Sequence, residues 1–182
     1  MKIGSVKEIK KYEYRVGLTP DNVKSYVNAG HQVYIERNAG VGSGFMTEDY
    51  VKAGAIILES AKEVWATADM IVKVKEPLPD EYPLFRKGQI IYTYLHLAAD
   101  RALTDAMLAA GVSGVAYETL EDRGYLPLLA PMSQIAGRLS VQKVQNIWRN
   151  CMVVPVYCFR VYQERQKQKL SSLAAEASEP MR

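Results

Sequence analysis

Cysteine and histidine are scarce in this chain, with two of each among 182 residues. Cys151 and Cys158 are separated by six residues, which fits neither a CxxC redox pair nor a zinc pattern. With only two histidines in the chain as well, a resident metal is not expected. Long apolar runs are also missing: no stretch approaches the roughly 20 residues needed to cross a bilayer. The opening MKIGSVKEIK is polar and charged and lacks the apolar core of a secretory leader, which predicts a cytoplasmic address. A strong excess of one charge is absent from most of the chain. Residues 1–142 hold 16 basic and 17 acidic side chains, and residues 143–182 hold 7 and 3. The net charge of +3 therefore resides in the tail, which reads as solvation and not as a nucleic-acid surface.

What is present is the make-up of a globular domain, 48% hydrophobic and 24% charged. The length suits one domain with a small appendage. KIGSV (2–6) reads as a strand, and Thr19-Pro-Asp opens a helix that Gly30 stops. HQVYIE reads as a strand, and Thr47-Glu-Asp opens a second helix. Ala55–Leu58 is a short strand, followed by a helix capped by Ser60. MIVKVK (70–75) and QIIYTYLH (89–96) are strands, Asp100 starts a helix ended by Gly111, and VSGVAYE (112–118) is another strand. Met132-Ser133 precedes a helix through Ile135, Ala136, Leu139 and Val141. The alternation predicts an α/β fold with a mostly parallel sheet flanked by helices.

In such a sheet, ligands bind beyond the carboxyl ends of the strands. Arg15 follows the first strand, Lys75 ends the strand from Met70, and His96 ends the strand from Gln89. Arginine offers a fork that matches a carboxylate, lysine a point charge for a carbonyl oxygen, and histidine a proton near neutral pH. Each has an ordinary structural reading too, as a surface ion pair, a solvated charge or a hydrogen-bonded imidazole. Taken alone, the three suggest an anionic small-molecule site and no particular reaction. The loop Ala39-Gly40-Val41-Gly42-Ser43-Gly44-Phe45 contains GxGxG after a strand. A dinucleotide fingerprint would need GxGxxG opening a helix directly, whereas here the helix begins later, at Thr47. No dinucleotide-binding segment is expected in the chain.

Five blocks in order, MKIGSVKEIKKYEYRVGLTP, NAGVGSGF, VKVKEPLPDEYPL, TYLHLAAD and LPLLAPMSQIAGRLSVQ, give residues 1–142 a resemblance to the L-alanine dehydrogenase family. Ser5 departs from the family's usual proline, with little consequence expected at a strand end. The related N-terminal domain of nicotinamide nucleotide transhydrogenase shares the opening and the glycine loop, but does not usually have KVKEP followed by YLHLA. The resemblance implies a substrate domain, residues 1–142, belonging to an enzyme that interconverts L-alanine with pyruvate and ammonia using NAD. It implies that Arg15 and Lys75 hold the carboxylate and carbonyl of pyruvate and that His96 is the acid/base. Tyr94, two residues before His96, would share its face and shape the pocket. Met132 and Ser133 match residues at the cleft where cofactor and substrate meet. The family's full enzyme is a hexamer, and its Rossmann NAD domain and catalytic aspartate have no counterpart expected here.

After Gln142 the resemblance ends abruptly, and residues 143–182 form a divergent basic tail carrying both cysteines and the second tryptophan. A lost reading frame or a truncated paralogue is the expectation, leaving a pyruvate/alanine half-site that is inactive alone. The alternatives are a pyruvate- or alanine-binding domain without catalysis, and a transhydrogenase-like subunit needing a separate cofactor-domain partner.

Overall fold

A computed structural model describes residues 1–150 of the chain. Six strands form one sheet: β1 (Lys2–Ser5), β2 (Gln32–Glu36), β3 (Ile56–Leu58), β4 (Met70–Val72), β5 (Ile90–Thr93) and β6 (Ser113–Ala116). Every pairing is parallel and the order is β3-β2-β1-β4-β5-β6. The α/β class and the parallel sheet read from the alternation are therefore present. Helices α1 (Pro20–Asn28), α2 (Thr47–Lys52), α3 (Ala61–Thr67) and α4 (Arg101–Ala110) occupy the connections, and α5 spans Ala130–Asn150. Residues Met1–Ala130 make one compact unit, and α5 from Pro131 onward belongs to a second. Cys151, Cys158 and the remainder of the tail lie outside the described residues.

Local chemistry sets the helix ends. Thr19 and Asn22 cap α1 reciprocally: the Asn22 N–H donates to Thr19 Oγ1 (3.3 Å) and the Thr19 N–H to Asn22 Oδ1 (3.1 Å). Pro20 sits in the first turn, where its missing N–H costs nothing. Ser60 and Asp100 cap α3 and α4 by accepting from Glu63 N and Leu103 N. Gly111 ends α4 at φ 65, a conformation most side chains resist.

The two faces of the sheet bury separate cores. On one face Val64 and Trp65 of α3 and Leu103 and Met107 of α4 pack with Ile71 and Ile91. On the other, Val23 of α1 and Tyr50 of α2 pack with Ile3, Val33, Ile35 and Val72. Ile71 and Val72 are consecutive and face opposite cores, as the two-residue pleat requires. Burial of each such side chain is worth roughly 1.5–3 kcal/mol before entropic losses. Gly4 lets α3 approach β1 closely, because a Cβ there would lie 2.7 Å from both Ala68 Cβ and Val64 Cγ1.

Several strand ends fall one to three residues inside those read in the sequence, and three boundaries bear on the candidate residues. The β4 ladder ends at Val72 and not at Lys75, and β5 ends at Thr93 and not at His96. Main-chain bonding nevertheless continues beyond both ends, from Lys73 N to Tyr92 O (3.0 Å) and from Tyr94 N to Val74 O (3.3 Å). The last helix starts at Ala130, so Met132 and Ser133 lie inside α5 and do not precede it. Pro131 is suited to the opening turn, which moves the start upstream.

Candidate functional site

The chain lays β1, β2 and β3 outward in one direction, then crosses back to place β4, β5 and β6 on the other side of β1. The reversal between β1 and β4 opens a crevice at their carboxyl ends, where neighbouring connections diverge to opposite faces. A cavity of about 470 Å³ lies there. Its wall includes Arg15, Lys73, Tyr92, Tyr94 and Tyr117.

Arg15 is carried on the long connection between β1 and α1. Two close approaches bring that segment over the crevice. At Gly17 a Cβ would lie 2.4 Å from the Val72 carbonyl oxygen, so only glycine lets the chain cross the end of β4. At Gly42 a Cβ would lie 2.8 Å from the Tyr14 carbonyl oxygen, which also accepts from Ser43 Oγ at 2.9 Å. The glycine loop thus buttresses the segment holding Arg15.

Glu13 grips Arg15 directly. Arg15 Nε donates to Glu13 Oε1 at 2.8 Å, and Nη2 to Glu13 Oε2 at 2.6 Å. The Arg15 main-chain N–H also donates to Oε1, at 3.0 Å. These hydrogen bonds hold the Glu13 carboxyl down at about 2, with the charges of Arg15 and Lys75 contributing in the same direction. The Arg15 guanidinium is shifted upward by the same contact.

Lys75 is placed by a second carboxylate. Glu8 Oε1 accepts from Val74 N (2.7 Å) and Lys75 N (3.2 Å), taking over where β1 no longer pairs with β4. Its other oxygen is 3.6 Å from Lys73 Nζ, and Lys73 Nζ donates to Glu81 Oε1 at 2.5 Å. Glu81 Oε2 accepts from Leu78 N (3.0 Å), so this buried group knits residues 73–81 to the end of β1. Burial pushes the Glu8 carboxyl up despite the opposing effects of Lys73 and the two N–H groups. Thr93 Oγ1 donates to the Lys75 carbonyl at 2.9 Å and fixes the same segment from β5.

His96 adopts a left-handed conformation at φ 51, just past β5. Glu118 Oε1 accepts from the main-chain N–H groups of Leu95 (3.1 Å) and His96 (2.7 Å) and secures this bend. The Tyr94 and His96 rings lie nearly parallel, at 14° with centroids 6.2 Å apart. Tyr94 Oη donates to the Leu128 carbonyl at 2.7 Å. Tyr117 meets Tyr92 and Tyr94 edge-on, at 4.4 and 5.0 Å. Burial pushes the Tyr117 hydroxyl strongly upward, so this wall stays uncharged at neutral pH.

Of the residues singled out in the sequence, Arg15 and Tyr94 line the cavity. Lys75 and His96 do not form its wall: Lys75 directly follows the lining residue Val74, and the His96 ring lies beside that of Tyr94. Met132 and Ser133 lie on α5, in the second unit. Glu8, Glu13, Lys73, Glu81 and Glu118 escaped the sequence reading. The period-two spacing of Lys73 and Lys75 was the available signal for Lys73; the acids carry none.

A dinucleotide does not fit the described residues. The strand order is that of doubly wound nucleotide folds. However, the β1–α1 connection, SVKEIKKYEYRVGLT, has no glycine-rich turn and α1 is capped by its own side chains. The 40–44 loop forms a 3₁₀ turn packed on Tyr14 and precedes only the six-residue α2. Among the described residues there is also no group of three His, Cys, Asp or Glu side chains able to hold a metal ion. No helix among them is long and apolar enough to cross a membrane.

Comparison with known proteins agrees with this architecture. An alanine dehydrogenase from Methanococcus maripaludis is 58% identical over 144 residues, covering 78% of this chain and 38% of the relative. The alanine dehydrogenase of Bacillus subtilis strain 168 is 52% identical over 142 residues, covering 78% and 37%. A solved L-alanine dehydrogenase superposes with a TM-score of 0.78 at 54% identity, covering 82% of this chain and 42% of that one. The transhydrogenase from Sinorhizobium meliloti is more distant, at TM-score 0.63 and 29% identity, covering 66% and 34%. The chain therefore spans less than half the length of the relatives it matches. Residues 4–136 match the model of the alanine dehydrogenase/PNT N-terminal domain, and with most of its length inside that match the chain belongs to this family.

Proposed function

We propose that this chain supplies the substrate-side half of an NAD-dependent L-alanine dehydrogenase, which interconverts L-alanine with pyruvate and ammonia. The observation that carries the reading is Arg15, clamped by Glu13 in the wall of the crevice between β1 and β4. Its relatives' names supply the substrate class. In this reading Arg15 and Lys75 bind the carboxylate and carbonyl of pyruvate, and a planar guanidinium fixes the carboxylate's orientation. His96 moves a proton to and from the reacting nitrogen and oxygen at the imine and carbinolamine stages. Tyr94 sets the His96 ring plane by stacking, and the Tyr92–Tyr117 wall keeps water from the substrate's methyl side. Residues 1–142 act as the substrate domain, and Met132 and Ser133 are assigned to its cofactor-facing edge.

The described residues offer no dinucleotide cradle, so turnover requires a cofactor-binding half from outside them. Without that half the domain would bind pyruvate and not convert it. The same reading makes the protein cytoplasmic and its complete form a homo-oligomer.

The test is complementation. The purified chain is mixed with a separately produced cofactor-binding half of the Bacillus subtilis relative, and NADH consumption is followed with pyruvate and ammonium. Pyruvate-dependent NADH oxidation that is lost in His96→Ala supports the proposal. NADH oxidation unaffected by His96→Ala or Lys75→Ala contradicts the assigned roles.

A further inference from the structure

Glu13 is an anion resident among the cations assigned to the substrate. Its carboxylate uses both oxygens on the Nε and Nη2 atoms of Arg15, and it also lies in the field of Lys75. The other carboxylates at these strand ends are engaged elsewhere. Glu8 and Glu81 hold Lys73, Glu76 pairs with Lys10, and Glu118 accepts from the main chain at Leu95 and His96. The Glu13 side chain is only 9% exposed, against 41% for Arg15. Water therefore screens the acid poorly, and its charge persists through the whole physiological pH range.

From this placement we infer that Glu13 is a specificity-determining residue that restricts the crevice to monocarboxylates. The inference rests on the substrate-side reading above. A ligand carboxylate approaching Arg15 meets one positive group already half-neutralised. One negative charge is tolerated because Arg15 and Lys75 together outweigh Glu13. A second negative charge on the ligand meets repulsion from Glu13, and among the described residues Lys73 is not available to offset it, being buried between Glu8 and Glu81. Glu13 also orients the guanidinium, but the selectivity comes from its charge and not from its shape.

The test compares oxamate and oxalate, near-isosteric probes carrying one and two negative charges at neutral pH. Both are titrated into the full chain by calorimetry. The wild type is expected to prefer oxamate. Glu13→Gln keeps an acceptor for Arg15 but removes the charge, and should shift the oxamate-to-oxalate preference about tenfold toward oxalate, equivalent to ~1.4 kcal/mol. Glu13→Asp keeps the charge and should retain the wild-type preference. Glu13→Ala provides a second neutral side chain if the glutamine variant fails to fold. An unchanged preference in the neutral variants, or an equal shift in Glu13→Asp, overturns the inference while leaving the substrate site standing. Unfolding of both neutral variants would make Glu13 a structural residue and would overturn it too. Binding of neither probe to the wild type removes the substrate reading itself, and this inference with it.

Discussion

Replacing Lys73 with methionine tests how residues 73–81 are held. Lys73 is 1% exposed, with Nζ 2.5 Å from Glu81 and 3.6 Å from Glu8. Those two side chains are 6% and 2% exposed. Methionine fills a similar volume, so packing is largely preserved and the ammonium alone is removed. Two carboxylates then remain buried without their shared cation. Breaking a buried ion pair from one side costs about 3–5 kcal/mol, against a whole-domain stability of about 5–15 kcal/mol. In urea, with a slope of about 1–3 kcal/mol per molar, the midpoint should fall by about 2 M. The loss should shrink as pH falls, because burial already pushes the Glu8 carboxyl up and its protonation removes an uncompensated charge. Lys73→Met combined with Glu81→Gln should recover part of the stability by removing the other. A midpoint within 0.3 M of wild type at pH 7, an order-of-magnitude threshold of about 0.5 kcal/mol, would refute the account of this cluster.

Two further outcomes follow from the same geometry. Glu13 titrates at about 2 in the folded chain against an ordinary 4.5, so its contribution is complete above pH 4.5 and is lost as pH falls from there through 2. After allowance for solvent at the half-exposed Arg15, that contribution is about 1–2 kcal/mol. Urea unfolding of wild type and Glu13→Gln at stepped pH should show a gap at pH 6 that closes by pH 2. Ser5 is fully buried at the end of β1, and its Oγ has no hydrogen-bond partner among the described residues. Ser5→Ala should therefore raise stability by about 1 kcal/mol in the same assay, and a loss of that size would mean the hydroxyl is satisfied in solution.

Much of this architecture was legible because local signals and tertiary demands coincide. Thr19-Pro20 and Ser60 cap helices in the structure as their chemistry implies, and Gly111 ends one in the left-handed region. The parallel sheet followed from strands alternating with helices. Strand ends were less legible. Lys75 and His96 lie past the last ladder residues because Glu8 and Glu118 replace the strand partner there, and a carboxylate far along the chain leaves no mark in local periodicity. The glycine loop showed the opposite difficulty. Its spacing invited a nucleotide reading, yet Gly42 serves the close passage of Tyr14. Expectations about the tail beyond residue 150 fall outside the described residues. Ser5 was expected to matter little at a strand end, and the Ser5→Ala measurement tests that expectation.

Pyruvate binding to the full chain tests the central claim most directly. Calorimetric titration without any dinucleotide should show one site per chain, with the affinity of Arg15→Ala reduced about tenfold to a hundredfold, as loss of a charge-assisted pair implies. Saturable binding to wild type that Arg15→Ala weakens on this scale is the result predicted. Absence of binding, or equal binding by both proteins, would mean that the crevice between β1 and β4 is not a substrate site.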